Sequence, residues 1–107
     1  MTTTLKEIAT EVNAIEDRLA INLDAVMHKL TQELGEFNDA IQKYRGIYCK
    51  TRKTKEDIQE EAGDLFTNFI SILNRVGVDP DVLPELAKNS LRKFHEREML
   101  YKQHQED

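Results

Sequence analysis

Two short segments of this 107-residue chain carry acids at matched spacing: Gln32-Glu33-Leu34-Gly35-Glu36-Phe37 and Glu60-Glu61-Ala62-Gly63-Asp64-Leu65. Each holds two carboxylates three residues apart about a glycine. A helix advances by about 100° per residue, so Glu33 and Glu61 each fall roughly 70° from the centre of the neighbouring apolar seam. Glu36 and Asp64 lie roughly 130° round, on the same side as their partners. If the two helices run antiparallel with seams facing, all four acids point to one side and come level. Carboxylates gathered this way repel one another and imply a compensating cation. An all-oxygen ligand set favours Mg2+, with Mn2+ as a substitute, over Zn2+.

Either acidic pair alone reads as an ordinary solvent-facing helix surface, and it is their pairing that favours a site. Gly35 and Gly63 add to it, because a glycine costs about 1 kcal/mol against alanine in a helix interior and both occupy equivalent places. Close approach of a ligand or a second backbone would explain them. A di-iron carboxylate bundle would need a glutamate three residues before a histidine. None is so placed, and His28, His95 and His104 read as surface polar residues.

The elements that must position these acids are helices. Apolar residues recur at steps of three and four almost throughout, and only two prolines and four glycines interrupt them. Thr4 caps the first helix with Glu7 reaching back, and its stripe is Leu5, Ile8, Val12, Ile15 and Leu19, ending near Ile21. The second starts around Asn22, with a seam of Met27, Leu30, Leu34, Phe37, Ile41 and Tyr44, and stops at Gly46. The third is capped by Thr54 with Asp57, runs along Ile58, Ala62, Leu65, Phe69, Ile72 and Val76, and ends at Gly77. The fourth has Asp79 as cap and Pro80 at its first position, with Leu83, Leu86, Leu91 and Phe94 inward. Beyond Tyr101 the chain is wholly polar and its last residues are expected to fray. The predicted fold is all-α, a four-helix-bundle-like protomer forming one domain over 1–107, with sequential helices as antiparallel neighbours.

With 39% hydrophobic and 33% charged residues the chain can fold but buries little by itself, so a homo-oligomer is expected. The net charge of −5 argues against a nucleic-acid polymer as partner. No apolar run approaches the ~20 residues of a membrane span, and neither an export segment nor a disulfide partner for Cys49 is visible. The expected setting is cytoplasmic. The basic stretch Arg45 to Lys55 reads as a soluble connecting loop, and Cys49 has no partner spacing that would make it a nucleophile.

The sequence resembles the MazG-like family of all-α NTP pyrophosphatases, whose hallmark is E-E-x-x-E followed, after a variable spacer, by E-x-x-D. Glu33, Glu36, Glu61 and Asp64 match its acids, while Gln32 replaces the first glutamate. The resemblance covers most of the chain. It implies that these four residues hold Mg2+ for the hydrolysis of an NTP or dNTP to monophosphate and pyrophosphate, clearing non-standard or surplus nucleotides. Lys88-Asn89, Lys93 and Arg97 resemble the basic segment of the family's last helix, so Asn89, Lys93 and Arg97, spaced i, i+4, i+8 along one stripe, are expected to hold the triphosphate. One carboxylate would serve as general base, Glu36 being preferred and Glu61 the other candidate. Tyr44, Tyr48, Phe37, Phe66 and Phe69 are candidates for the base pocket, with core packing the competing duty of the phenylalanines. The expected homo-oligomer is a homodimer or a homotetramer. The contrasting reading is a non-catalytic helical interaction protein whose seams are oligomerisation surfaces.

Overall fold

The computed structural model describes residues 3–106. Among these the chain is all-helical: α1 (Leu5–Arg18), α2 (Leu23–Tyr44), α3 (Lys55–Arg75), a 3-10 turn (Pro80–Val82) and α4 (Leu83–Glu106). None of the described helices is long and apolar enough to cross a membrane.

The caps are local consequences of sequence. The Thr4 hydroxyl accepts from the Glu7 amide, Asn22 Oδ1 from Ala25, and Thr54 with Asp57 closes a reciprocal capping box. At the other ends, Gly46 and Gly77 take φ of 80° and 84°, where their amides and the next ones bond back to the last-turn carbonyls. Ala20 does the same at φ 56° after α1, a left-handed position the sequence does not mark with glycine. Asp79 caps the 3-10 turn rather than α4 itself, with Pro80 buried at its start. α4 is helical to Glu106.

α2 and α3 form an antiparallel hairpin, as their register shows: Asn68 reaches Val26 at one end, and Glu33 meets Glu61 and Asp64 further along. α1 packs on α3 and not on α2, correcting the expectation that each helix lies beside its sequence neighbour. A polar seam makes that join. Asn13 Nδ2 donates to Ser71 Oγ at 3.0 Å, Asn74 donates to Asn13 at 2.7 Å, and Ser71 donates to the Glu16 carboxylate at 2.9 Å. Arg75 closes it with bonds to Glu16, Asp17 and the Asn13 carbonyl.

The four-helix bundle is corrected too. Among the described residues α4 touches only the 3-10 turn and projects from the body, leaving Leu86, Leu91 and Phe94 exposed rather than inward. The radius of gyration is accordingly 17.9 Å, against about 13 Å for a compact chain of this length. Of the predicted seams of α2 and α3, only Ile72 lies in the core. What is buried is Ala9 and Glu16 on α1, Val26, Glu33 and Ala40 on α2, and Asn68, Ile70, Ser71 and Ile72 on α3. The predicted seam residues Leu30, Leu34, Phe37, Ala62, Leu65 and Phe69 instead line, with Phe66, an open apolar groove of about 600 Å3 along the hairpin.

Candidate metal centre

α2 contributes Glu33 and Glu36 to the site, and α3 contributes Glu61 and Asp64. Antiparallel pairing brings Glu33, Glu61 and Asp64 together so that one carboxylate oxygen of each lies within 4.8 Å of the others. The Glu36 carboxylate adjoins both Glu33 and Glu61. Glu33 is more deeply placed than the helical-wheel argument predicts, being 9% exposed in line with Val26 and Ala40 rather than on the border of the seam. Gln32, one residue earlier and so about 100° round the helix, is exposed and stands outside the cluster.

The electrostatics are those of anions short of a counter-charge. Burial, then the neighbouring Glu36 and Asp64 carboxylates, push the Glu33 carboxyl above the ordinary glutamate range, and Lys29 only partly offsets them. The same causes in the same order raise Glu61. Because the folded pKa values are raised, the cation-free cluster is least costly below the glutamate range, and its penalty grows as pH rises through those raised values. Glu33 Oε2 and Glu61 Oε2 are enclosed, yet neither accepts a hydrogen bond. A hard divalent cation answers both facts. Three oxygens within 4.8 Å of one another can be drawn onto one such ion by rotation of their side chains. The donor set fits.

A match to the MazG nucleotide pyrophosphohydrolase domain runs over residues 21–99, most of the chain and all four acids. The chain belongs to the MazG family. No significant match was found among curated proteins or among solved structures. Membership points to a nucleotide pyrophosphohydrolase, and the metal dependence general in MazG proteins agrees with the acidic cluster.

The structure does not gather every residue expected of a MazG site. Asn89, Lys93 and Arg97 lie exposed on α4, which packs on neither α2 nor α3 of its own chain. Asn89 accepts from Arg92 at 2.9 Å, and the Arg97 guanidinium sits 5.4 Å from the Phe94 ring centre. Tyr48 is 98% exposed, Tyr44 is exposed, and Phe37, Phe66 and Phe69 face the apolar groove rather than the acids. Gly35 and Gly63 have no protein atom within 4 Å of where a Cβ would stand, so no neighbour within the protomer explains them. In the connecting loop, Arg52 folds against Gly46 and the Cys49 thiol donates to the Lys43 carbonyl, which is structural work.

What the sequence reading missed lies beside the cluster. A cleft of about 390 Å3 between α1 and the hairpin ends at Glu33 and Asp64, and Lys29, Thr67 and Asn68 help to line it. Helical spacing does carry a signal for two of them: Lys29 precedes Glu33 by four residues and Asn68 follows Asp64 by four, so each stacks over an acid on one face.

Proposed function

We propose that this MazG protein hydrolyses a nucleoside triphosphate, ribo- or deoxyribo-, to the monophosphate and pyrophosphate, with Glu33, Glu36, Glu61 and Asp64 holding Mg2+ or, in its place, Mn2+. The observation that carries this reading is the pair of enclosed oxygens, Glu33 Oε2 and Glu61 Oε2, that accept no hydrogen bond. When bound, the divalent ion supplies charge neutralisation for the triphosphate and for the pyrophosphate that leaves. Glu33, the most buried of these four, is held in place by the packing of α2 on α3. Glu36 is exposed and adjoins Glu33 and Glu61, so it is the carboxylate we favour to take the proton of the attacking water, with Glu61 the second candidate. We take residues 1–107 as one domain, suited to clearing surplus or non-standard nucleotides.

The deciding experiment is a panel of NTPs and dNTPs with Mg2+, assayed for monophosphate and pyrophosphate against free phosphate. Pyrophosphate with monophosphate is the expected pair of products. Free phosphate alone would place the cut elsewhere, and no turnover together with no Mg2+-dependent thermal stabilisation would return the chain to the interaction-protein reading.

The open groove of the hairpin and the bare apolar residues of α4 support assembly as a homodimer or homotetramer, since isolated apolar surface of this extent favours association. In such an assembly α4 would bring Asn89, Lys93 and Arg97 to the acids of a second copy. Sedimentation at micromolar concentration should show an oligomer, and a monomer there would contradict this. Lys93→Ala and Arg97→Ala should raise KM about tenfold while leaving the melting temperature unchanged, because both side chains are solvent-exposed and would meet phosphate oxygens. Unaltered kinetics in both variants would make that stripe a solvated helix face.

A further inference from the structure

The net charge of −5 is unevenly spread. Between Asp39 and Glu56 the chain holds no acid and six of its 15 lysines and arginines, so that the other nine stand against all 20 Asp and Glu. The positive end is the connection between α2 and α3, where local charge rather than the sum over the chain sets the field. Two of the six cations are committed: Lys43 pairs with Asp39 at 2.9 Å, and Arg52 folds against Gly46. Arg45, Lys50, Lys53 and Lys55 are exposed and form no ion pair among the described residues. Lys53 stands near Asp57, whose carboxylate is already taken up by the Thr54 cap.

The loop holds an aromatic residue outward among these cations. The Ile47 amide donates to the Gln42 carbonyl at 2.9 Å, and the Cys49 thiol donates to the Lys43 carbonyl, so the chain is tied back to α2 on both sides of Tyr48. Between those ties Tyr48 takes φ of 53°, a left-handed value that bulky side chains rarely adopt. The residue is 98% exposed, so the ring covers nothing of its own chain and packing does not account for its pose.

We propose that the α2–α3 loop binds a single-stranded segment of nucleic acid, with a base stacked on Tyr48 and successive phosphates on Arg45, Lys50, Lys53 and Lys55. An exposed ring beside unpaired cations is the chemistry that holds single strands without sequence preference, because every base offers a face to stack. Four cations spread along a loop suit successive phosphates, whereas a mononucleotide would engage only one or two of them. An acidic peptide would use the cations and leave the ring idle. The acids of the metal centre constrain the path of the strand. Glu61 follows Lys55 by six residues, roughly 9 Å along α3, so the strand crosses the end of the hairpin rather than running down it. The loop needs no metal for this contact.

The probe is a fluorescently labelled single strand of about 12 nucleotides, within the site sizes that such surfaces cover. Its anisotropy is followed in EDTA, so that no metal bridges it to the acidic cluster. The wild type should bind with Kd about 10⁻⁵ M at about 50 mM salt, and four phosphate contacts should give a slope of log affinity on log salt of about −3. Tyr48→Asn removes the ring but suits the left-handed backbone, so it should weaken binding about tenfold at an unchanged slope, while Tyr48→Phe binds as the wild type. Arg45→Gln combined with Lys50→Gln should weaken all sequences alike and make the slope shallower by about 1.4. These positions are exposed, so the melting temperatures should not move. Unaltered affinity in both Tyr48→Asn and the double variant would overturn the proposal. So would a mononucleotide that binds as tightly as the strand, or vesicles of anionic phospholipid that bind where the strand does not.

Discussion

Glu61→Gln should reduce Mg2+-dependent hydrolysis by about 10²–10³-fold, the loss expected when several kcal/mol of metal-dependent stabilisation is removed. It should leave the metal-free protein at least as stable as the wild type. The amide keeps the size of the side chain and one acceptor oxygen, but not the charge that a hard cation prefers. Glu61 Oε2 accepts no hydrogen bond, so none is lost, and the new NH2 can donate to the Glu33 or Glu36 carboxylate beside it. The substitution also removes one member of a set whose mutual repulsion raises Glu33 and Glu61. A solvated helix acid behaves otherwise: its loss changes stability by at most ~0.5 kcal/mol, alike with EDTA or with Mg2+, and leaves turnover intact. Melting temperatures in the two buffers, read beside pyrophosphate release, separate the outcomes. Wild-type turnover in this variant would end the metal-site assignment.

The second large effect is on stability. Arg75→Ala should destabilise the fold by about 3 kcal/mol, because Glu16 would keep a buried negative charge with its cation gone. Arg75 and Glu16 side chains are 19% and 11% exposed, and the guanidinium bonds Glu16 at 3.1 and 3.2 Å as well as Asp17 and the Asn13 carbonyl. The figure is set at the low end for a broken buried pair, since Ser71 and Asn13 still donate to Glu16. For a domain of this size, the melting temperature should fall by about 10 °C or more. The paired change Glu16→Met with Arg75→Met should recover much of the loss, as apolar replacement of a buried ion pair often does. A shift under about 2 °C for Arg75→Ala would show that α1 is held by its apolar contacts instead.

Much of this protein is legible in its sequence, and the reason is locality. Caps at Thr4, Asn22 and Thr54 and stops at Gly46 and Gly77 depend on residues within one turn, so the helix boundaries follow from neighbours alone. The matched acids also depend on few inputs: one antiparallel hairpin and equal distances from its loop suffice to bring Glu33, Glu61 and Asp64 together.

The tertiary structure decided what periodicity cannot. Apolar spacing shows that a helix has a face to cover but not what covers it. Thus the stripe of α1 walls a cleft, the seams of α2 and α3 form an open groove, and α4 stands clear of the body. The core runs instead along small and polar residues, with Ala9 fully buried on α1, the Asn13–Ser71–Glu16–Arg75 network, and Glu33 in line with Val26 and Ala40. Small side chains allow close helix approach, and buried polar groups survive where partners from another helix satisfy them. Those partners lie more than fifty residues away along the chain for Asn13 and Glu16, a distance at which sequence spacing carries no information and only packing does.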